Sequence, residues 1–366
     1  MVAEQTTDAG DEQNGVAPTA VNGAPSPGAA TGSPHDLPLS QQPLVTIDEI
    51  RAAADRIAGT AVRTPLMRSP WPGLWLKPEM LQPVGAFKIR GALNAIANLD
   101  PQRRAGGVLA HSSGNHAQAV AYAARAFGID AHIVIPDNAP ARKIDATRAL
   151  GATVELVPIE QRFTRPEEIA RATGKPLVAP FDDRDVIAGQ GTIGLEIAQD
   201  VLAFDGRSPW QQPPAAILVP VSGGGLISGI AAAIAALLPD TAVIGVEPEL
   251  AGDAAESFHA GRRGSWTPDL TTRTIADGLR AFGLGELPWR HITAQVADIV
   301  TVTEAEILDA TRMMALQARV VSEPSGAVGV AAHLFHSDQL PAGTRIAVAS
   351  GGNIDPALLA RLLTDG

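Results

Sequence analysis

Residues 216–238 read AILVPVSGGGLISGIAAAIAALL. The opening run, with Ile217, Leu218 and Val219, is continuously apolar and too short for a helix, which is the pattern of a strand buried on both faces. Gly223, Gly224 and Gly225 follow, and then an Ala- and Ile-rich stretch of helical length. Strand, glycine turn and helix in that order describe one unit of an α/β sheet. The first amides of such a helix have no intrahelical acceptor and sit at the positive end of its dipole, a seat for a phosphate. The same residues admit two other readings. Glu247, 22 residues beyond Gly225, stands near where a ribose-binding acid of a dinucleotide fold belongs, although consecutive glycines depart from G-x-G-x-x-G. A plain tight turn is the third reading, but it needs one or two glycines, not three.

The pattern recurs along the chain. GVLAH (107–111), AHIVIP (131–136), ATVELV (152–157), AVIGVEP (242–248), DIVTV (298–302) and RIAVAS (345–350) alternate with stretches of helical length. This predicts an α/β fold with parallel sheets. Thr46 with Glu49 and Thr303 with Glu306 form capping boxes, Ile47, Ile50, Ala54 and Ile57 share one helical face, and Pro356 suits a first helical turn. No internal repeat at a fixed period is present. Three glycine-containing turns, HSSGNH (111–116), VSGGGL (221–226) and ASGGN (349–353), follow predicted strands, and in an open α/β sheet ligands bind at that carboxyl edge.

Composition narrows the function classes. At 366 residues the chain can form two lobes, and 45% hydrophobic with 18% charged residues is ordinary for a globular protein. A formal charge of −11 and a pI near 5.2 argue against a nucleic-acid surface, so an anionic ligand must be held locally by amides and a few side chains. With 0 cysteines, disulfides, thiolate metal sites and a cysteine nucleophile are excluded. The first 50 residues contain no Lys or Arg and no apolar run, and no apolar segment reaches the ~18 residues of a membrane span, so a cytoplasmic protein is expected. Residues 1–43, rich in Ala, Gly, Pro, Ser and Thr, read as a disordered tail ahead of VTIDEIRAAADRIAG (45–59). Since the chain stops soon after PALLARLLTDG, no appended regulatory domain is expected.

Of the 28 basic residues only four are lysines: Lys77, Lys88, Lys143 and Lys175. Lys88 lies in VGAFKIRGAL (84–93) between Phe87 and Ile89. In apolar surroundings the charged form of an amine is disfavoured, so it becomes a nucleophile toward aldehydes, which a guanidinium cannot do. A solvated lysine on a helix surface is the plainer alternative. Taken with a phosphate-binding turn, however, the amine points to pyridoxal phosphate, which needs both. In AHSSGNHAQAVAYAARAFG (110–128), Ser112, Ser113, Asn115 and His116 open a helix whose amides can receive a carboxylate; helix capping accounts for only one of the four.

GAFKIRGA, SSGNHAQA, VIAGQGTIGLEI, PVSGGGLISG, EPSGAVGVAA and SGGNID occur in the order and approximate spacing of a known family. Over residues 45–363 the chain resembles the fold-type II pyridoxal phosphate enzymes, the serine/threonine dehydratase and serine racemase family. The resemblance implies a tryptophan synthase beta-like fold of two open, twisted, mostly parallel sheets with flanking helices. It implies a large cofactor lobe from 44–98 and 187–366, and a small substrate lobe from 99–186. It also implies that Lys88 carries the cofactor, with Phe87 against the ring and Asn115 at the ring hydroxyl. Gly223, Gly224, Gly225 and Leu226 hold the phosphate, and Ser350 faces the ring nitrogen. Ser112, Ser113, Asn115 and His116 clamp the substrate carboxylate.

The implied reaction is deamination of L-threonine and L-serine, with Lys88 taking the α-proton and the β-hydroxyl leaving, to give a 2-oxo acid and ammonia. Two hints diverge: Ser113 matches a serine that racemases place on the opposite face of Cα, whereas Phe181 and Asp182 in PFDDRDVIAGQGT look like the dehydratases. Serine racemase, or a dehydratase of another β-hydroxy amino acid such as 3-hydroxyaspartate, is the alternative. A nicotinamide dehydrogenase and a binding protein without chemistry are remote readings. Ser222 stands where many relatives have a further glycine, and its amide can still donate. VEPELAGD resembles a pattern in which Glu247, Asp253 and the Ala251 carbonyl hold Mg²⁺ or Ca²⁺, a solvated acidic loop being the plainer alternative. A homodimer or homotetramer is usual in the family.

Overall fold

The structure is a computed structural model, and it describes residues 34–203, 210 and 212–364. The described strands are β1 (Met67–Arg68), β2 (Leu74–Pro78), β3 (Val108–His111), β4 (Ala131–Pro136), β5 (Thr153–Val157), β6 (Ala216–Pro220), β7 (Ala242–Pro248), β8 (Asp298–Val302) and β9 (Arg345–Ala349). They form a six-stranded sheet, β1-β2-β9-β6-β7-β8, and a three-stranded sheet, β3-β4-β5. Every pair is parallel except β1 with β2. The fold is the expected α/β class, and the seven segments read as strands are β3 to β9. β1 and β2 escape that reading because β1 is two residues long and Lys77 interrupts the apolar run of β2.

β6 and β9 are buried at every residue because helices cover both faces of the large sheet. The helix Gly225–Leu237 packs on one face through Ile227, Ile230 and Ile234, together with Ile193 and Ile197 of the helix Arg184–Val201. The helix Pro324–Phe335 covers the other face through Val328 and Ala331. A further core surrounds the small sheet, and it includes Ile89, Leu93 and Ile96 of the helix Lys88–Asn98. We propose the lobes as 44–98 with 187–366, and 99–186; the Lys88 helix then belongs to the large lobe by sequence while its apolar face packs with the small one. Both capping boxes are formed. Among the described residues no helix is long and apolar enough to cross a membrane.

Glycine is required where the helices cross. A Cβ on Gly229 would lie 2.3 Å from the Ile187 carbonyl, and one on Gly189 would lie 2.6 Å from the Arg90 carbonyl. The glycines of VIAGQGTIG therefore let the helix Arg184–Val201 come into backbone contact both with the helix that carries Lys88 and with the helix that follows the glycine turn.

Of the tail read over residues 1–43, residues 1–33 lie outside the described residues, and Leu39, Gln42 and Pro43 are hydrogen-bonded to the fold. Arg184 donates to the carbonyls of Pro43 and Leu44, Arg290 donates to those of Leu39 and Gln42, and Val45 N–H donates to His291 Nε2 at 3.0 Å. These guanidinium donors satisfy backbone that an apolar pattern alone cannot anchor.

A buried ionic network ties the Lys88 helix to its neighbours. Arg90 donates Nε and Nη2 to Glu79 at 2.8 and 2.9 Å, and Nη1 and Nη2 to Glu196 at 2.6 and 2.9 Å. Lys77 Nζ, fully buried, reaches Glu196 and the Thr64 carbonyl, each at 2.6 Å. The network joins β2, the turn after it, the Lys88 helix and the helix Arg184–Val201.

Candidate active site

Lys88 is the first residue of its helix and follows a loop tied to the carboxyl end of β9. Phe87 N–H donates to the Ser350 carbonyl at 3.0 Å, and Ala86 forms an antiparallel bridge with Gly351. Lys88 Nζ donates to the Pro180 carbonyl at 2.7 Å and lies 5.1 Å from the centroid of the Phe87 ring. Solvent still reaches part of the side chain, yet protein surrounds the amine closely enough that burial pushes its pKa down to about 8. Proximity of protein atoms, rather than loss of surface, governs the amine's solvation here.

The glycine turn lies against the same segment. A Cβ on Gly223 would come within 2.3 Å of the Phe181 ring, and one on Gly225 within 2.9 Å of the Phe181 carbonyl oxygen. Gly224 has φ +92, the left-handed region, and a Cβ there would meet Pro288 at 2.7 Å. One dipeptide, Pro180–Phe181, thus touches both the amine of Lys88 and the turn that opens the helix Gly225–Leu237. The next residue, Asp182, accepts the amides of Glu286 and Leu287 at 2.9 and 3.0 Å, and so caps the helix that carries Pro288. Leu226 points into the core, leaving its backbone at the turn. An amine that is neutral in part at physiological pH, near the backbone amides that open a helix, fits a phosphorylated aldehyde.

The turn after β3 supplies polar groups to this region. Ser112 Oγ accepts the Gly114 amide at 3.1 Å, and Ser113 is partly exposed beside it. Asn115 Nδ2 donates to Glu323 at 2.7 Å, while its Oδ1 accepts Asn353 Nδ2 at 2.8 Å. The side chain of His116 is engaged away from the turn. Its ring is buried, Nε2 lies 2.9 Å from the Val178 carbonyl, and burial followed by the Lys88 charge pushes its pKa down to about 3. The ring is therefore neutral, with Nε2–H donated to Val178. Only the backbone amide of His116, in the first turn of the helix Asn115–Ala126, remains for a carboxylate.

Three residues of this region went unassigned in the sequence. Glu323 and Asn353 stand inside EPSGAVGVAA and SGGNID, but their partner Asn115 is more than 200 residues away in sequence, so no spacing reveals it. The Arg162 guanidinium lies 4.6 and 4.4 Å from the ring centroids of Phe163 and Phe282, which meet edge-on, and Phe163 meets His111 edge-on at 5.2 Å.

Glu247 and Asp253 lie close enough for the charge of Asp253 to act on Glu247. Glu247 is 0% exposed and accepts the Ala255 amide through Oε2 at 2.8 Å, while its Oε1 and Asp253 Oδ2 are buried without a hydrogen-bond partner. Burial and the Asp253 charge raise the Glu247 pKa well above normal, and burial pushes Asp253 up to about 7. Ala251 is buried in the turn between them. No group of three or more His, Asp or Glu side chains forms among the described residues, so a cation here would need carbonyl or water oxygens as well. Two buried carboxylates, each with one oxygen left without a hydrogen-bond partner, are nevertheless what a hard cation relieves, so the donor set fits.

The family model described as "Pyridoxal-phosphate dependent enzyme" matches residues 57–352. The chain is 41% identical over 345 residues to a serine racemase of Oryza sativa subsp. indica, covering 91% of this chain and 98% of the relative. It is also 41% identical over 334 residues to an L-threonine ammonia-lyase of Thermotoga maritima, covering 88% and 79%. The solved structure of maize serine racemase superposes with a TM-score of 0.80 at 39% identity, covering 88% of this chain and 98% of that one. These matches set aside the dinucleotide reading of the glycine turn.

Proposed function

The chain belongs to the fold-type II pyridoxal phosphate enzymes of the serine/threonine dehydratase and serine racemase family, and from that premise we propose that it is an ammonia-lyase acting on L-threonine and L-serine. The observation that carries this reading is the meeting of the Lys88 amine and the glycine turn at Pro180–Phe181. When bound, pyridoxal phosphate supplies an electron sink that acidifies the α-proton of an amino acid.

The chain's own residues do the rest. Lys88 would hold the cofactor covalently at rest; once a substrate amine has taken its place, the freed amine, whose neutral form burial favours, would take the α-proton at Nζ. The amides of Gly223, Gly224, Gly225 and Leu226, at a helix N-terminus, hold the phosphate. Phe87 packs on the ring, and Asn115 serves the ring hydroxyl. Ser350 would face the ring nitrogen with a hydroxyl in place of a carboxylate, which would leave that nitrogen largely unprotonated and suit β-elimination better than deeper carbanion chemistry. Ser112, Ser113, Asn115 and the His116 amide hold the substrate carboxylate and so set which α-bond is broken.

Racemisation is the second reading, favoured by Ser113 and by the 41% identity to a serine racemase. The pure protein incubated with L-serine, D-serine, L-threonine and 3-hydroxyaspartate is expected to release 2-oxo acid from the L-isomers faster than it inverts either serine. Dominant inversion would overturn the choice. In S113A, inversion is expected to fall by ~100-fold or more, the scale of a lost general acid–base group, while L-elimination persists. Equal loss of both would make Ser113 a binding residue.

We also propose that Glu247, Asp253 and the Ala251 carbonyl hold Mg²⁺ or Ca²⁺. Adding either ion at ~100 times its Kd to chelator-treated protein is expected to stabilise it by about 2.7 kcal/mol, seen as a rise in Tm of several degrees that D253N removes. An unchanged Tm in the unsubstituted protein would refute the site.

A further inference from the structure

Glu323 stands at the N-cap of the helix Pro324–Phe335 and makes no capping bond. Its carboxyl turns away from the helix amides into the site, where the residue is 4% exposed and Oε1 accepts Asn115 Nδ2 at 2.7 Å. Room for it depends on Gly351, the residue after Ser350: a Cβ there would lie 2.4 Å from Oε1 and 3.2 Å from Asn115 Nδ2. The Glu323 amide in turn donates to the Gly351 carbonyl at 3.0 Å. The carboxyl is thereby fixed between the end of β9 and the turn after β3.

The direction of each hydrogen bond follows from one carbonyl. The Val84 carbonyl can only accept, so the Asn353 atom 2.9 Å from it is Nδ2. That nitrogen also donates to Asn115, so the Asn115 atom facing it is Oδ1 and the amide's Nδ2 faces Glu323. Nδ2 carries two hydrogens, and Glu323 takes one. Asn115 therefore has one N–H left over, beside the loop that carries Phe87 and Lys88.

We propose that Glu323 is a positioning residue for pyridoxal phosphate: it holds the Asn115 amide so that the remaining N–H is presented to the ring hydroxyl oxygen of the cofactor. This rests on the reading of Lys88 as the point of attachment. Burial, with the charge of Asp277, pushes the Glu323 pKa up to about 7 against the opposing effects of Asn115 and Lys143. Lys143 and Asp277 form an ion pair with each other. Oε1 accepts in either protonation state, so what the position needs is an acceptor at that reach. Glutamine keeps one, alanine removes it, and aspartate falls one methylene short.

The test is the dissociation constant for pyridoxal phosphate in the full-length protein, with the visible absorbance band of the bound cofactor as a second readout. E323A is expected to raise Kd by ~10-fold or more, and E323Q to stay within ~3-fold, on the scale of one buried hydrogen bond. N115A should weaken binding similarly. The double variant N115A/E323A should be no weaker than N115A alone, within ~2-fold, because one effect passes through the other. The proposal is overturned if E323A binds like the unsubstituted protein, if E323Q is as weak as E323A, or if the two losses multiply. Should E323A fail to fold by circular dichroism, E323D is compared with E323Q: weaker binding by E323D supports the role, and equal binding refutes it. A borohydride-treated unsubstituted protein that carries no cofactor on Lys88 would instead remove the premise, and the proposal with it.

Discussion

K88A is expected to lose turnover of the proposed substrates, L-threonine and L-serine, by ~1000-fold or more, since on the proposed reading the substitution removes covalent attachment and the group that takes the α-proton together. In the unsubstituted protein, borohydride should fix the cofactor on Lys88 and on none of the other lysines. Lys77 also has a burial-depressed pKa, but its Nζ is engaged by Glu196 and the Thr64 carbonyl, and Lys143 is paired with Asp277. With a pKa of about 8, roughly a tenth of Lys88 is neutral at pH 7, against about one part in three thousand for an ordinary lysine at 10.5. The rate at which cofactor-free protein takes up pyridoxal phosphate should therefore climb between pH 6 and 8 and level off above, because the reactive form is the unprotonated one. A rate that keeps rising toward pH 10 would show an amine that burial does not perturb. K88A within tenfold of normal activity, or a reduced adduct on Lys77, would refute the assignment.

R90A is expected to destabilise the fold by about 3–5 kcal/mol, the range for breaking a buried ion pair from one side. Arg90 is bound by two carboxylates, each through two hydrogen bonds, and both would be left in the interior without it. Burial alone would raise the Glu79 pKa, but the Arg90 charge and hydrogen bonds outweigh it and hold the carboxyl below its ordinary value. The sign of the pH dependence follows. A depressed folded-state pKa contributes stability that is present above the ordinary value near 4.5 and lost as pH falls through the lowered one. R90A should reverse this, because an unpaired buried carboxylate is more tolerable protonated; urea midpoints for R90A should then rise as pH falls from 7 to 5. A loss below about 1 kcal/mol at pH 7 would mean that relaxation or water entry compensates the two acids.

Part of this site could be read in the sequence because its residues announce themselves locally. An amine flanked by Phe87 and Ile89 in a chain of 24 arginines, three glycines between a strand and a helix, and a cluster of small polar residues at a helix start each carry their chemistry within a few positions. The two capping boxes were legible for the same reason, since donor and acceptor lie three residues apart. β1 and β2 were not, because what stabilises Lys77 inside a buried strand is Glu196, 119 residues away.

By itself the sequence determined the class of fold, the cofactor and the candidate for its attachment, since continuous apolar runs demand helices on both faces and few side chains can bind an aldehyde. Tertiary structure alone decided where polar hydrogens point. It turned the His116 ring to the Val178 carbonyl and left only the backbone amide at the site, aimed Glu323 at Asn115 rather than at its own helix, and anchored Leu39–Leu44 with two distant guanidiniums. The physical reason is common to all three: a buried donor or acceptor must find a partner, and the partner it finds is set by which strands and helices the packed core brings alongside, not by which residues neighbour it in the chain.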